Sequence, residues 1–489
     1  MSKVIAQKLA LREYRSAHRV FKCALMYVLA VGGVASLFLF FGANFLCGRG
    51  LLGENEVSVL KAFAPTIFIY GILGVLRGYF QAHGSMVQTS VSQILEQIAN
   101  AVVSVGAAYL LIRGTMGTLE IPADEAGKIT RATSGAVGSA LGAGAGVLAA
   151  LLFMVAVYLL NRGTIDRRIR NDRHVGTDSY KSIMRTTMMV VTPFILSTAI
   201  YNLVGAVNNT VYTQVFPAMR KVNEVAVFSR WGAFSGQALT ISNIPIAFAS
   251  AMASAVIPSM AQMAASGDIK GVREKNALAM KTNMLISIPC TVGMFVLARP
   301  ITGLLFNNVQ ETEDLVTGLL MALALSVVFS ALSTLNTSVL QGLGKVNTPI
   351  INAAIALAVQ TVVAVLLLKF TDLEVYSMAI AVTLYSAVMW ILNHWAVRRA
   401  TGYRQELVKT FLIPTFASVC MGAVAWATYE ALLMMTSSPK ISVVIAILVA
   451  VCVYFFMLLL LRGISEQELR GFPKGYLFVR LAKKCGLMK

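Results

Sequence analysis

Long apolar runs separated by short polar segments dominate this chain. Twelve runs are mostly apolar over roughly 20 residues or more, and about 20 such residues suffice for a helix to cross a bilayer. An even number of spans places both termini on the same side. The pattern predicts an all-α polytopic membrane protein. The predicted spans are 20–46, 62–82, 87–112, 134–160, 183–210, 231–257, 283–306, 315–341, 348–370, 375–397, 411–433 and 441–461.

The composition supports this class and excludes two others. Of the 489 residues, 57% are hydrophobic and 13% are charged, whereas a soluble domain carries about 25% charged residues. So much apolar surface cannot be buried in one soluble core, and disordered chains are poor in apolar residues. The net charge of +19 is spread over short segments between the apolar runs. This distribution does not form a nucleic-acid-binding face.

The basic residues predict the orientation of the spans. The segments on the side of the N-terminus hold 27 Lys and Arg residues, and the opposite segments hold 9. Because loops rich in Lys and Arg stay in the cytoplasm, both termini are expected there. The richest segment, 162–173, is expected to anchor the protein on anionic membrane lipids.

Metal and enzyme chemistry find no support in the sequence. The six cysteines and four histidines are scattered, with no CxxC or Cys/His cluster, so neither a zinc site nor a disulfide framework is indicated. The chain has no HExxH, GxSxG or Walker motif. We therefore expect no enzyme, no cofactor and no direct use of ATP.

A short motif occurs twice, 260 residues apart. Gln81 and Gly84 match Gln341 and Gly344, and each pair lies at a tight predicted turn between two spans. Glycine suits such a turn because it tolerates a positive φ. The turns suggest two halves of like topology.

A second match lies upstream of the first, at an offset of 255. Residues 4–10 resemble residues 259–265, and Glu13 falls on Asp268. Internal symmetry of this kind is common in transporters. Two predicted spans precede this segment in the second half and none precedes it in the first, so we expect the first two helices of the first half to be missing.

The repeat and the loops predict four parts of the chain. They are an N-terminal lobe with four helices, a basic linker, a C-terminal lobe with six helices, and a helix pair with a basic tail. Their predicted limits are 1–160, 161–182, 183–400 and 401–489.

Residues 78–87 (GYFQAHGSMV) and 92–98 (SQILEQI) resemble the multidrug/oligosaccharidyl-lipid/polysaccharide flippase superfamily. The sequence is most similar to its bacterial polysaccharide-biosynthesis branch, which includes the stage V sporulation protein B type and the MurJ-type lipid II flippases. The turn at 340–344 and the C-terminal helix pair also fit. The resemblance implies two lobes facing a central cavity. It implies alternating access that moves a lipid-linked sugar outward across the bacterial plasma membrane.

Two departures limit what the resemblance implies about residues. The first two family helices, which carry cationic cavity residues in MurJ-type members, have no counterpart here. Residues 239–245 are uncharged where MurJ-type members carry a charged cluster before a proline. The substrate-binding residues of that subgroup therefore cannot be transferred.

Charged residues inside the predicted spans are the first candidates for a binding site. A charge at the middle of a bilayer costs about 2.5–3.5 kcal/mol, so such residues usually face a cavity or a partner. Arg77 and Glu96 lie in adjacent spans joined at Gly84. Either both face a cavity, where Arg77 contacts an anionic head group, or they form a structural pair.

Polar residues supply further candidates for binding substrate. Gln93, Gln97 and Asn100 share one helix face with Glu96. This stripe either lines the cavity or forms hydrogen bonds between helices.

The fifth predicted span adds three candidates for binding substrate. Arg185, at its start, either extends its side chain to the membrane interface or captures phosphate. Asn202 and Asn209 are seven residues apart and share one helix face.

Gly138, Gly142 and Gly146 recur every four residues inside one span. This spacing is typical of close packing between membrane helices, and not of a phosphate-binding loop.

Three functions remain open at this stage. The first is a flippase for a lipid-linked oligosaccharide or peptidoglycan precursor, whose ligand is a polyprenyl-pyrophosphate sugar and which uses Na⁺ or H⁺ as a coupling ion if it uses one. The second is a multidrug–cation antiporter of the same superfamily, which needs a membrane carboxylate such as Glu96. The third is a truncated, non-transporting scaffold in envelope synthesis.

Overall fold

The structure is a computed structural model, and its described residues form α-helices, π-helical turns and short connections. It describes residues 2–48, 56–84, 87–120, 122, 124–172, 179–220, 222–306, 310–436, 438–461, 463 and 464. Most of the predicted basic tail, from 465 to 489, lies outside the described residues.

Sixteen α-helices follow one another along the described residues. Three π-helical turns also occur: Val211–Val215 and Ala233–Ala238 each join two α-helices, and Val408–Leu412 leads into α15. The helices are α1 Ser2–Ala10, α2 Tyr14–Gly48, α3 Val57–Ala82, α4 Val87–Met116, α5 Glu125–Arg170, α6 Tyr180–Thr210, α7 Phe216–Arg220, α8 Glu224–Gly232, α9 Leu239–Ala265, α10 Ile269–Val296, α11 Ala298–Leu305, α12 Gln310–Gly342, α13 Asn347–Phe370, α14 Tyr376–Thr401, α15 Ile413–Thr436 and α16 Pro439–Leu460.

Eleven helical stretches of the described chain are long and apolar enough to cross a membrane. They overlap eleven of the twelve predicted spans, and the remaining prediction, 183–210, lies in the continuous helix α6. Large apolar side chains cover the outer faces, as Val34 (68% exposed) and Phe41 (75% exposed) show on α2. Faces of this kind suit a lipid environment.

The predicted limits of the seventh span, 283–306, were wrong. Asp268 caps the start of α10, where its Oδ1 accepts a hydrogen bond of 2.8 Å from the backbone N–H of Gly271. The helix therefore begins at Ile269, in a polar stretch that hydropathy alone assigned to a loop. It ends before Leu297, and the separate short helix α11 follows.

Two of the π-helical turns have an evident local cause. Pro217 and Pro414 each follow the end of such a turn by two residues. Proline has no N–H and its ring crowds the preceding turn, so the helix widens locally to accommodate it.

The chain divides into two compact units, Met1–Thr198 and Ala199–Lys489. In the first unit α2 packs on α3, α3 on α5, and α5 on α4. Buried Phe21, Leu73 and Met154 belong to its core. In the second unit α12 is central and packs against α9, α10 and α14, α13 packs on α14, and α15 packs on α16.

The turns after α3 and α12 confirm the internal repeat. Gly84 has φ +78° and Gly344 has φ +76°. Each donates its backbone N–H over 3.0 Å to the carbonyl of Gln81 or Gln341, respectively. The order of packed helices repeats as well, because α2, α3, α5 and α4 correspond to α10, α12, α14 and α13.

The turns after α1 and α9 repeat in the same way. Arg12 has φ 60° and Gly267 has φ 74°. The next residue, Glu13 or Asp268, donates its N–H over 2.9 or 3.0 Å to the carbonyl five residues before it. An arginine thus holds a left-handed conformation that glycine provides in the second half.

Candidate functional site

A buried charged cluster lies between α3 and α4 in the first unit. Arg77 on α3 is 8% exposed. Its Nε donates to Ser92 Oγ over 2.8 Å, and its Nη2 donates to Glu96 Oε2 over 2.7 Å. The structure therefore forms the Arg–Glu pair that was one of the two interpretations of the sequence.

Ser92 completes this cluster, and sequence reasoning missed it. Its hydroxyl donates over 2.7 Å to the carbonyl of Thr89, so a lone pair of Oγ faces the guanidinium of Arg77. Ser92 and Glu96 are one helical turn apart and share a face of α4. That i, i+4 spacing was the available signal, but serine is common in membrane helices as a packing residue.

The local fold explains how the pair forms. The turn at Gly84 reverses the chain, so the last turns of α3 lie beside the first turns of α4. An Arg in a span costs about 2.5–3.5 kcal/mol, and the carboxylate of Glu96 compensates that charge. The two side chains are only 10% and 15% exposed.

The predicted polar stripe on α4 divides between two environments. Gln93 and Gln97 are exposed, whereas Glu96 and Asn100 are half-buried. Asn100 Oδ1 accepts a hydrogen bond of 2.8 Å from Ser104 Oγ. The stripe thus has one side packed in the protein and one exposed side.

The glycine stripe on α5 explains why Asn100 is enclosed. A Cβ on Gly146 would lie 2.6 Å from the carbonyl oxygen of Glu96 and 3.0 Å from Cβ of Asn100. Gly138 and Gly142 meet the backbone of α4 just as closely. The stripe is a close-packing surface, as the sequence predicted, and it holds α4 in place beneath the charged cluster.

The predicted residues of the fifth span lie on α6. Arg185 is exposed in the first unit, and Asn202 is exposed and Asn209 half-buried in the second unit. The structure brings Arg77, Glu96, Gln93, Gln97 and Asn100 onto one helix pair.

Asn208, which sequence reasoning did not select as a site residue, is 5% exposed and accepts over 2.8 Å from Gln360 Nε2. Their separation of 152 residues in the sequence leaves no spacing signal.

The second unit carries a neutral polar cluster at the equivalent position. The repeat offset of 260 relates Arg77 to Thr337 and Ser92 to Asn352. Asn393 connects these two, because its Nδ2 donates to Thr337 Oγ1 over 2.9 Å and its Oδ1 accepts from Asn352 Nδ2 over 2.8 Å. Both units thus place polar side chains at these equivalent positions, with an ion pair in the first unit and neutral groups in the second.

Among the described residues, no group of three or more His, Cys, Asp and Glu side chains is placed to hold a metal ion. The arrangement on α3 and α4 instead offers a fixed guanidinium with exposed amides on the adjacent face. Guanidinium groups bind phosphate and carboxylate oxygens, and amides add hydrogen bonds to hydroxyl groups.

Comparisons with known proteins point to one family. The family model described as lipid II flippase MurJ matches residues 19–451. The lipid II flippase MurJ of Bacillus subtilis (strain 168) is 22% identical over 442 residues, which cover 86% of this chain and 76% of that protein. Stage V sporulation protein B of the same organism is 24% identical over 482 residues, 97% of this chain and 86% of that protein.

Solved structures show the same fold. A lipid II flippase MurJ in an inward closed conformation aligns with a TM-score of 0.59 and 15% identity, over 93% of this chain and 91% of that one. A multidrug resistance MATE family transporter of the MOP superfamily, in an inward-facing conformation, aligns with a TM-score of 0.64 and 16% identity. It covers 82% of this chain and 84% of the transporter.

Proposed function

Because the chain belongs to the lipid II flippase MurJ family, we propose that it moves a lipid-linked cell-wall precursor of the lipid II type across the bacterial plasma membrane by alternating access. Its substrate is a polyprenyl-pyrophosphate-linked sugar. The polar head group crosses while the polyprenyl tail stays in lipid, so no covalent bond is made or broken.

The buried Arg77 cluster is the observation that carries this proposal. Its guanidinium is oriented by Ser92 and Glu96, so little side-chain entropy is lost when an anionic head group binds. A pyrophosphate oxygen competes with the Glu96 carboxylate for Nη2. The exposed amides of Gln93 and Gln97 on the same helix pair donate to sugar hydroxyls. Arg185, exposed at the start of α6 in the same unit, offers a second guanidinium.

The charge balance suggests how a coupling ion enters. When phosphate takes the guanidinium, Glu96 loses its partner, and an unpaired carboxylate in a span is costly. Glu96 then takes up H⁺ or Na⁺ and returns to Arg77 when the substrate leaves. The ion pair therefore forms when no substrate is bound, and the Glu96 carboxylate competes with the substrate for Arg77.

The same pair weighs against a multidrug–cation antiporter. Such an antiporter needs a membrane carboxylate that binds a cationic drug or its counter-ion. Glu96, the deep carboxylate that the sequence offered, is engaged by Arg77 at 2.7 Å. The cluster carries no net charge, so an anionic head group must displace the Glu96 carboxylate to reach the Arg77 guanidinium.

We also propose that both termini lie in the cytoplasm. The basic excess on that side supports this orientation. On the opposite side, basic residues are matched by carboxylates in the second unit. Arg220 pairs with Asp372 at 2.6 Å and Arg299 with Asp314 at 3.0 Å.

Depletion of the protein in cells without another flippase tests the proposal. We expect polyprenyl-pyrophosphate sugars to accumulate, wild type to clear them and Arg77→Ala to fail to do so. Arg113→Gln is the matched control, because Arg113 is exposed at the far end of α4. Normal precursor pools with hypersensitivity to cationic drugs would instead favour the antiporter.

A further inference from the structure

A cavity with several polar side chains in its lining lies in the first unit, at the end that carries the basic residues. Its volume is about 180 Å³, several times the ~30 Å³ that one water molecule occupies in the liquid. It lies between the end of α1, the start of α2, the end of α3, the start of α4 and the polar extension of α5. Its polar lining includes His18, Tyr79, His83, Gln88, Asn161 and Arg168.

Two histidines in this cavity have atoms positioned for a ligand. His83 Nδ1 lies 2.9 Å from the carbonyl oxygen of Tyr79. Since a carbonyl only accepts, Nδ1 carries the hydrogen, and Nε2 of the neutral ring is left as an acceptor for a hydroxyl group or a water molecule. His18 Nδ1 is buried and has no hydrogen-bond partner within the described part of the chain. Such an atom costs stability unless a ligand or water satisfies it.

Packed aromatic rings make this cavity rigid. The ring of Tyr79 lies 4.6 Å from Phe21 and 4.5 Å from His83, measured between centroids. Tyr158 completes the group, with its ring 5.6 Å from that of Phe21. The lining is therefore preformed, which reduces the entropy that a ligand must overcome.

The charges around the cavity favour an anion. Arg168 lies in its lining, and none of the described residues that line it carries a carboxylate. The acidic groups nearby have other partners: Asp166 pairs with Arg162 at 3.7 Å, and Glu13 pairs with Lys8 at 2.8 Å. Buried Asp172 accepts a hydrogen bond of 2.8 Å from the backbone N–H of Arg15. The lining thus presents a guanidinium, imidazoles and neutral donors to whatever enters.

We propose that this cavity binds the phosphate group of an anionic ester. A phosphate accepts hydrogen bonds from several directions at once, which matches donors contributed by several helices. The cavity lies where α5 leaves its apolar segment and becomes basic, so the head group of an anionic phospholipid and a soluble phosphate ester share this chemistry. The site is separate from the Arg77 cluster and does not depend on transport.

Binding to the purified full-length protein tests the site with two probes. Retention of phosphatidylglycerol is measured by native mass spectrometry, with diacylglycerol as the control without a head group. The rise in melting temperature with sn-glycerol 3-phosphate is measured in detergent. The variants are Arg168→Gln and the matched control Arg167→Gln, the adjacent exposed arginine of α5, which is not in the lining.

We expect Arg168→Gln to weaken binding about tenfold, the typical value of one charge-assisted hydrogen bond, and Arg167→Gln to change it little. Retention of phosphatidylglycerol alone identifies a lipid head group, and a response to glycerol 3-phosphate identifies a soluble ester. Equal losses in the two variants, or no binding of either probe, would overturn the proposal.

A second variant tests the cavity independently, in case Arg168→Gln fails to fold. Thr164→Trp fills the cavity from its lining and leaves every charge in place. It should abolish binding while the melting temperature without ligand stays unchanged. Binding equal to wild type in this variant would show that the cavity is not the site.

Discussion

The ion pair between Arg77 and Glu96 can be tested by removing one charge at a time. Glu96→Gln keeps the volume of the side chain and leaves a guanidinium that is only 10% exposed without its counter-charge. Arg77→Met leaves the carboxylate unpaired in the same way. The double variant Arg77→Met/Glu96→Gln removes both charges and leaves no unpaired ion in the span.

The expected magnitude follows from the burial of the pair. Removing one partner of a buried pair costs about 3–5 kcal/mol, whereas replacing both is often nearly neutral. We expect about 3 kcal/mol for each single variant, because Ser92 still contacts Arg77 and Glu96 keeps some exposure. In a unit of about 200 residues this corresponds to on the order of 6–12 °C in melting temperature.

The assay is thermal unfolding of the purified protein in lipid nanodiscs, with Arg113→Met as an exposed control. The double variant should recover most of the loss, so that the coupling energy is about 2 kcal/mol or more. If instead its loss equals the sum of the two single losses, Arg77 and Glu96 do not interact energetically and the charged cluster is not a unit.

Three further predictions use thermal unfolding of single variants. Gly146→Ala forces a Cβ against the backbone of α4 and should cost about 1–3 kcal/mol, whereas Gly163→Ala on the same helix meets open space and should stabilise by up to about 1 kcal/mol. Arg12→Gly should stabilise the protein by about 1 kcal/mol, because Arg12 holds the left-handed conformation that Gly267 has in the other half. An unchanged melting temperature would contradict the idea that the backbone is strained at Arg12. Asn208→Ala leaves the buried amide of Gln360 without its acceptor and should cost about 1–3 kcal/mol of stability. A loss of stability under about 0.5 kcal/mol would contradict a structural role for this hydrogen bond.

Features that depend on local chemistry could be predicted from the sequence. Apolar runs set the spans, because any backbone in lipid must satisfy its own hydrogen bonds as a helix. Gly84 and Gly344 indicated matched turns because few other residues adopt a positive φ. The glycine stripe indicated close packing because its four-residue spacing places all three on one face.

Features that depend on distant contacts could not be predicted. The bond between Asn208 and Gln360, and the cluster around Asn393, join helices far apart in sequence. The cavity beside His18 needs five helix ends to converge, and its aromatic and basic residues resembled ordinary interface anchors. The start of α10 at Ile269 was missed because its first turns are polar, and length and hydropathy do not detect a cap.

Reconstitution of the purified chain into liposomes tests the proposed transport most directly. A fluorescent lipid II is placed in one leaflet, and its appearance in the other is followed with a membrane-impermeant quencher. We expect transfer above that of empty liposomes, loss of transfer in Arg77→Ala and retained transfer in Arg113→Gln. Transfer no faster than in empty liposomes, or transfer unchanged in Arg77→Ala, would contradict it.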